Sequence, residues 1–394
     1  MEYKTLGSLV DRKIGYGIVQ PGRNILHGVP VIKVNNLIAG LHSKGELDVT
    51  TKENDEKYSR TRLEGGELIV SVVGTVGKTA IVPKSFRGCN LVRAVAMIDI
   101  KENWLSRWVK YYIDSPAGQA YIEQNLNTTV QATLNIKTLV DMPIPFLKED
   151  EMRKIVTILE AIDRKIECNQ QINDNLLAQA QTIKKQWVAT NEAGYEMLPL
   201  AEVATINPDT YSPKEAWEFV NYLDTSSITD GFVADIQHIV PSSEKLPSRA
   251  RRKVAAGDVL FSTVRPNQNH FGIISDPLPN MLASTGFADI RSKTPLVCNE
   301  LIYLCLTEGD FIEKMQQLAE QSTSTFPSIK PSDLGACQIP CPKDESSNVF
   351  NDTLKTLFSL IAANFRENNS LGAMRDALLP KLMSGEIEVS AVKL

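Results

Sequence analysis

The chain has 394 residues, 43% of them hydrophobic and 23% charged, the balance of an ordinary folded protein with room for two or three domains. A net charge of −5 and a pI of about 5.6 exclude a protein that coats nucleic acid regardless of sequence, but leave a locally basic groove compatible with DNA binding. No apolar run reaches the ~18 residues of a membrane span and the opening residues lack an apolar signal core, so a cytoplasmic protein without membrane contact is expected.

In chain order, Leu6-Gly-Ser-Leu9-Val10 reads as a short opening strand or turn. Tyr16 and Gln20 follow in a glycine- and proline-punctuated stretch, and Arg60 and Arg62 precede the turn at Gly66. The segment Gly66-Glu-Leu-Ile-Val-Ser71 predicts a turn followed by a buried strand that ends on a serine. Gly74-Thr-Val-Gly77-Lys78-Thr79 ends like a phosphate-binding loop. However, Val72 stands where the loop needs its first glycine, and Thr79-Ala-Ile-Val-Pro83 continues as a strand, so a glycine turn presenting Thr75 and Lys78 is expected instead. A helical patch over Trp104–Gln124 follows. Thr129–Ile136 leads into Met142-Pro-Ile-Pro145, whose prolines are expected to delimit helices.

The second half repeats the first. Leu200-Ala-Glu-Val203-Ala204 resembles the opening segment, Gly257-Asp-Val-Leu-Phe-Ser262 the turn and strand, and Glu300–Leu318 the helical patch. Thr325-Phe-Pro-Ser-Ile329 and Gln338-Ile-Pro-Cys-Pro342 resemble the closing run. Arg249, Arg251, Arg252 and Lys253 are expected in a loop before the Gly257 turn, and Arg265, Asn267, Gln268 and Asn269 after the strand. Arginine matches guanine with two hydrogen bonds, and asparagine or glutamine matches adenine. Basic groups at corresponding places in both halves therefore predict DNA contact through Tyr16, Gln20, Arg60, Arg62, Thr75 and Lys78 in one module and through these eight residues in the other.

Each half ends in a heptad seam. At an offset of 195 residues, Ile155, Leu159, Ile162, Ile166, Leu176, Ile183 and Trp187 fall on Phe350, Leu354, Leu357, Ile361, Leu371, Leu378 and Leu382. Asn169 and Asn173 fall on Asn364 and Asn368. The alternating spacing of four and three is that of coiled-coil helices, and paired seam asparagines serve register and orientation. Two helices entering from opposite modules of one chain are expected to pack antiparallel. At about 1.5 Å per residue, 155–187 spans roughly 50 Å.

Catalytic signals are missing. The four histidines form no metal or hydrolase motif, and Asn207-Pro208-Asp209 lacks the second proline of an adenine methyltransferase. No glycine-rich strand-to-helix turn would hold a methyl donor. Cys89, Cys168, Cys298, Cys305, Cys337 and Cys341 form no CxxC pair, so free thiols and no metal are expected.

These residues are similar to a known family. Glu149-Asp-Glu-Met-Arg-Lys-Ile155 with Ile158-Leu159 and Ile162-Asp163-Arg-Lys-Ile166 resembles the conserved helix of type I restriction-modification specificity (S) subunits. So do Gly28-Val-Pro-Val-Ile-Lys-Val34, Gly257–Pro266 and Leu378-Leu-Pro-Lys-Leu-Met-Ser-Gly-Glu-Ile387. The likeness runs through the whole chain. It implies an α+β fold of two target recognition domains, 1–147 and 193–344, with conserved long helices at 148–192 and 345–394, the latter including the C-terminal tail. It also implies a non-catalytic subunit that reads a two-part site on double-stranded DNA. Its expected partners are two modification (M) subunits, which bring S-adenosylmethionine, and the restriction (R) subunits; no cofactor is expected in this chain. Ser346-Ser347-Asn348 stands where the family has a Glu-Gln pair, so contacts at the start of the second helix are expected to differ. Two other classes stay open on residues alone: a coiled-coil scaffold that binds only protein, and a restriction or methyltransferase polypeptide. The missing motifs count against the enzyme and the paired basic segments against the scaffold.

Overall fold

A computed structural model describes residues 2–41, 43–127, 131–322 and 326–389. The chain divides into two compact units, 1–167 with 368–394, and 168–367. The divisions fall inside the two long helices, Glu149–Thr190 and Asn348–Met383, because each stretch of helix packs on the module of its own unit.

In the first unit, the glycine pair Gly65–Gly66, both at positive φ, turns the chain into the strand Leu68–Ser71. That strand lies between Val95–Asp99 and Thr79–Ile81 in a four-stranded antiparallel sheet whose other edge is Arg12–Tyr16. All four residues of Leu68–Ser71 are buried, because the sheet is covered on both faces. Leu68 and Val70 pack with Trp108, Val109 and Leu139, whereas Ile69 and Met97 pack with Ile32, Phe86 and Leu91. The residue-by-residue alternation thus feeds two cores from one strand, each large side chain contributing about 1.5–3 kcal/mol. A three-stranded sheet, Asp48–Thr50, Val29–Ile32 and Asn90–Leu91, carries the second core.

The second unit rebuilds this plan. Asp258–Ser262 lies between Phe287–Ser292 and Phe271–Ile274, with Ala204–Ile206 at the far edge. Val220–Leu223 pairs parallel with Met281–Ser284, as Val29–Ile32 does with Asn90–Leu91. The helical patches are helix pairs in both units, Asn103–Asp114 with Pro116–Gln124, and Asn299–Leu306 with Gly309–Glu320.

Two local expectations change and a third is refined. The basic segment expected as a loop is the strand Ala250–Lys253, with a bulge between Ala250 and Arg252. The prolines expected to delimit helices do lie between helices, Ile136–Val140 and Glu149–Thr190 in one module and Pro331–Gly335 and Asn348–Met383 in the other. They sit within strands: Pro143 and Pro145 in Pro143–Phe146 paired with Glu2–Thr5, and Pro340 and Pro342 in Gln338–Pro342 paired with Tyr195–Pro199. Two-stranded pairs leave one side of each strand without a ladder, and there a proline costs no hydrogen bond; the carbonyl of Pro145 accepts from Trp108 Nε1 at 2.9 Å. The segment Leu200–Val203 is one turn of helix after its strand. Thr129, Val130 and Thr325 lie outside the described residues.

The helix segments run antiparallel within each unit. In the second, Trp187 stacks on Phe350 at 4.4 Å, Asn364 donates to Asn173 Oδ1 at 2.7 Å, and Asn169 donates to Glu367 at 2.7 Å. In the first, Arg375 pairs with Asp163 at 3.0 Å, and Tyr111 donates to the same carboxylate at 2.7 Å. Ile155, Leu159, Asn169, Asn173, Phe350, Leu354 and Leu382 are buried; Ile162, Ile166, Leu176, Ile183, Leu357, Ile361, Asn364, Asn368, Leu371 and Leu378 are half-buried. Ser347, just before the second helix, is buried.

Candidate nucleic-acid interface

The serine that ends each central strand braces the turn that follows it. Ser71 Oγ donates to Thr75 O at 2.6 Å and accepts from Lys78 N at 2.9 Å. Ser262 Oγ donates to Val264 O at 2.8 Å. Both turns are then fastened to the same later segment of their module. Val73 bridges to Thr133, Val264 bridges to Ser328, and Arg265 N donates to Pro327 O at 2.9 Å.

The backbones of both turns enter the left-handed region, with different residues. In the first unit Gly74 and Gly77 take φ of 81° and 87°. A Cβ on Gly77 would meet Gln119 Oε1 at 2.9 Å, and the Gln119 amide donates to the Gly77 carbonyl at 3.1 Å, so the turn is held closely from below. Thr75 and Lys78 project from it, exposed. In the second unit Arg265 and Asn269 take φ of 47° and 55°, flanking the short 3-10 turn Pro266–Gln268. Non-glycine residues there are strained, and such strain concentrates where a side chain must be aimed. The Arg265 guanidinium lies 4.8 Å from the ring centre of Phe326, an exposed aromatic. Asn267 and Gln268 are exposed beside it and Asn269 is half-buried.

The other basic candidates differ in how freely they project. Arg60 and Arg249 are exposed. Arg62 is held by Asp55 and by Glu56, the latter at 2.9 Å. Arg251 donates to the Ser248 and Tyr211 carbonyls, and Lys253 pairs with Glu215 at 2.6 Å. Arg252 turns inward: its Nε is buried without a hydrogen-bond partner among the described residues, and burial lowers its pKa despite the nearby charge of Asp289. Asp289 is fully buried, and burial first, then the neighbouring Asp258, raises its pKa well above the usual carboxylate range. Asp258 itself takes a two-pronged bond from Arg291 at 2.7 and 2.8 Å. Tyr16 is partly exposed at the edge of a hollow shared with Tyr121, Asn135 and Lys137, and Gln20 is exposed.

Phe326 and Gln119 were invisible to sequence reasoning as parts of these turns. Phe326 lies 61 positions beyond Arg265 and Gln119 lies 42 beyond Gly77, with no spacing rule to link them. The corresponding place of the two segments in the repeat is the one signal that could have pointed to Phe326.

Residues 12–178 match the family described as type I restriction modification DNA specificity domain. The chain is 27% identical over 180 residues to the type I restriction enzyme EcoBI specificity subunit of Escherichia coli, an alignment covering 45% of this chain and 38% of that protein. It is 26% identical over 139 residues to the HindI specificity subunit of Haemophilus influenzae, covering 35% and 30%. These alignments therefore span less than half of either relative. The MjaIX specificity subunit of Methanocaldococcus jannaschii is 23% identical over 370 residues, 88% of this chain and 83% of that one. Among solved structures, a type I restriction-modification S subunit from M. genitalium shares the fold, with a TM-score of 0.53 at 15% identity over 97% of this chain and 95% of its own.

Proposed function

Since this chain belongs to the family of type I restriction-modification DNA specificity subunits, we propose that it catalyses nothing itself and selects the DNA on which partner subunits act. Residues 1–147 and 193–344 are two target recognition domains, each reading one half of a divided site on double-stranded DNA. The supporting observation is the turn after the central strand: its bracing is the same in both modules, while the side chains it presents are Thr75 and Lys78 in one and Arg265, Asn267 and Gln268 in the other. A common support with different side chains is what two different half-sites require. Arg265 suits the O6 and N7 acceptors of a guanine, Asn267 and Gln268 an adenine edge, and Lys78 a phosphate.

Two modification subunits carrying S-adenosylmethionine dock on this chain and methylate adenine, and restriction subunits complete the nuclease complex in the cytoplasm. The net charge of −5 fits a subunit that leaves part of the phosphate neutralisation to those partners. The test is to map methylated adenines in the host genome with the gene intact, deleted and restored. Loss and return of methylation at one site made of two short separated sequences supports the reading; methylation unaffected by the deletion contradicts it.

A further inference from the structure

Leu26 is 93% exposed, the most of any large apolar residue among the described residues. It stands on the loop Val19–Gly28, whose backbone is tied down although its tip faces solvent. Ile25 N donates to Val49 O at 3.3 Å, and Val49 N donates to Asn24 Oδ1 at 2.8 Å. Thr50 Oγ1 donates to Pro21 O at 2.6 Å, and the Asn54 amide reaches the Gln20 and Pro21 carbonyls. At the loop's end a Cβ on Gly28 would meet Thr50 O at 2.0 Å, so only glycine lets the loop lie this close to the strand. A hydrophobic tip held in place in water is poised for an occupant.

The side chains around the tip indicate which occupant. The ten residues Val19–Gly28 include Arg23, Gln20 and His27 and no Asp or Glu. Apolar exposure is confined to Leu26 with the edges of Ile25 and Val19, too narrow for a broad protein contact. The loop also continues directly from Tyr16, at the edge of the candidate interface. A single aliphatic side chain flanked by cationic and amide groups matches the wedges that proteins insert between stacked bases while neighbouring groups hold the phosphates. The corresponding loop of the other module, between the strands Ala204–Ile206 and Val220–Leu223, is different: Trp217 folds onto Tyr211 at 4.7 Å, and Asp209, Glu215 and Glu218 make it acidic.

We infer that Leu26 is a wedge that enters the base stack of the half-site read by the first module. This rests on the DNA-reading proposal above. A wedge favours steps that unstack easily, pyrimidine–purine steps above all, so Leu26 adds sequence preference without a hydrogen bond to any base.

The test uses the full chain assembled with the modification subunits of its own system, and duplexes carrying its mapped methylation site with 2-aminopurine placed in turn across both halves, leaving out the methylated adenines and their neighbours, which a methyltransferase flips from the stack. Binding is expected to raise fluorescence several-fold at one step of the first module's half and nowhere in the other. Leu26→Ala should abolish that rise and relax the preference at that one step, while the other half of the methylated sequence and the assembly stay intact; Leu278→Ala, an exposed leucine of the second unit, should leave the rise unchanged. Site-specific binding without the rise, or a rise that survives Leu26→Ala, overturns the wedge alone. Loss of subunit assembly in Leu26→Ala with the DNA signal unchanged would make the loop a protein contact and overturn it too. Failure of the wild-type complex to prefer its site over random duplex removes the DNA-reading proposal, and the wedge with it.

Discussion

The turn after the central strand occurs twice in this chain, once on glycines and once on residues strained by the same geometry. Gly74 and Gly77 adopt positive φ without strain, whereas Arg265 and Asn269 adopt it against their side chains, Arg265 tied to the Pro327 carbonyl and lying over Phe326, Asn269 tied through its N–H to the Pro266 carbonyl. A second contrast lies one strand away. Val70 faces Ala96 and Phe261 faces Ala288, so Met97 and Asp289 hold the same place in the two sheets. Met97 fills an apolar core; Asp289 brings a carboxyl into one, beside Arg252. The first module is thus relaxed and apolar where the second carries strain and a buried carboxyl, and both keep the same strand order. The scaffold tolerates a change of local chemistry as long as the alternation of the central strand feeds both cores.

The contrast can be broken most severely at the sheet. Met97→Asp places a carboxyl among Ile32, Phe86 and Leu91 with no cation built to meet it, and should destabilise the first unit by about 3–5 kcal/mol in chemical denaturation. The reverse exchange, Asp289→Met, should cost far less or stabilise. Equal losses from the two would refute the account of the Met97–Asp289 difference.

At the turns the expected effects are smaller. Gly77→Val forces a β-branched residue to φ of 87° against Gln119, costing roughly 1–3 kcal/mol and the first half-site's reading. Asn269→Gly should relieve strain and raise the melting temperature slightly; a drop would mean that Asn269 is not strained. Arg265→Lys removes the planar fork and should relax one base position of the second half-site, about 1–3 kcal/mol of discrimination, with the first half unaltered. Phe326→Leu, which removes the cation–π contact but keeps bulk, should weaken the same position by only about 0.5–1 kcal/mol.

A further effect is one of pH. An acid whose folded pKa is raised binds more protons folded than unfolded, so stability is lost as pH rises from about 4, where the unfolded carboxyl ionises, up through the raised folded value. Asp289 gives the second unit this downward slope, and Asp289→Asn should flatten it. An unchanged slope in the variant would assign it to another group.

The long helices and the buried strands were legible because periodicity carries them: the heptad from Ile155 to Trp187 falls within Glu149–Thr190, and glycine turns announce Leu68–Ser71 and Asp258–Ser262. The repeat made the two turns legible as a pair. What stayed hidden depends on contacts far apart in sequence. The bulge between Ala250 and Arg252 decides which basic side chains face outward, and nothing in four consecutive residues signals it, so Arg252 looked as available as Arg251. Met142-Pro-Ile-Pro145 was legible as a helix boundary but not as a strand, because a strand paired on one side only leaves no periodic mark.

The central claim is that two modules on one plan read two independent half-sites. It is tested most directly by exchanging residues 193–344 for the corresponding module of a relative and mapping methylated adenines genome-wide. The account predicts that one half of the methylated sequence changes and the other is kept base for base. A change in both halves, or in neither while the chimaera assembles and methylates, would contradict it.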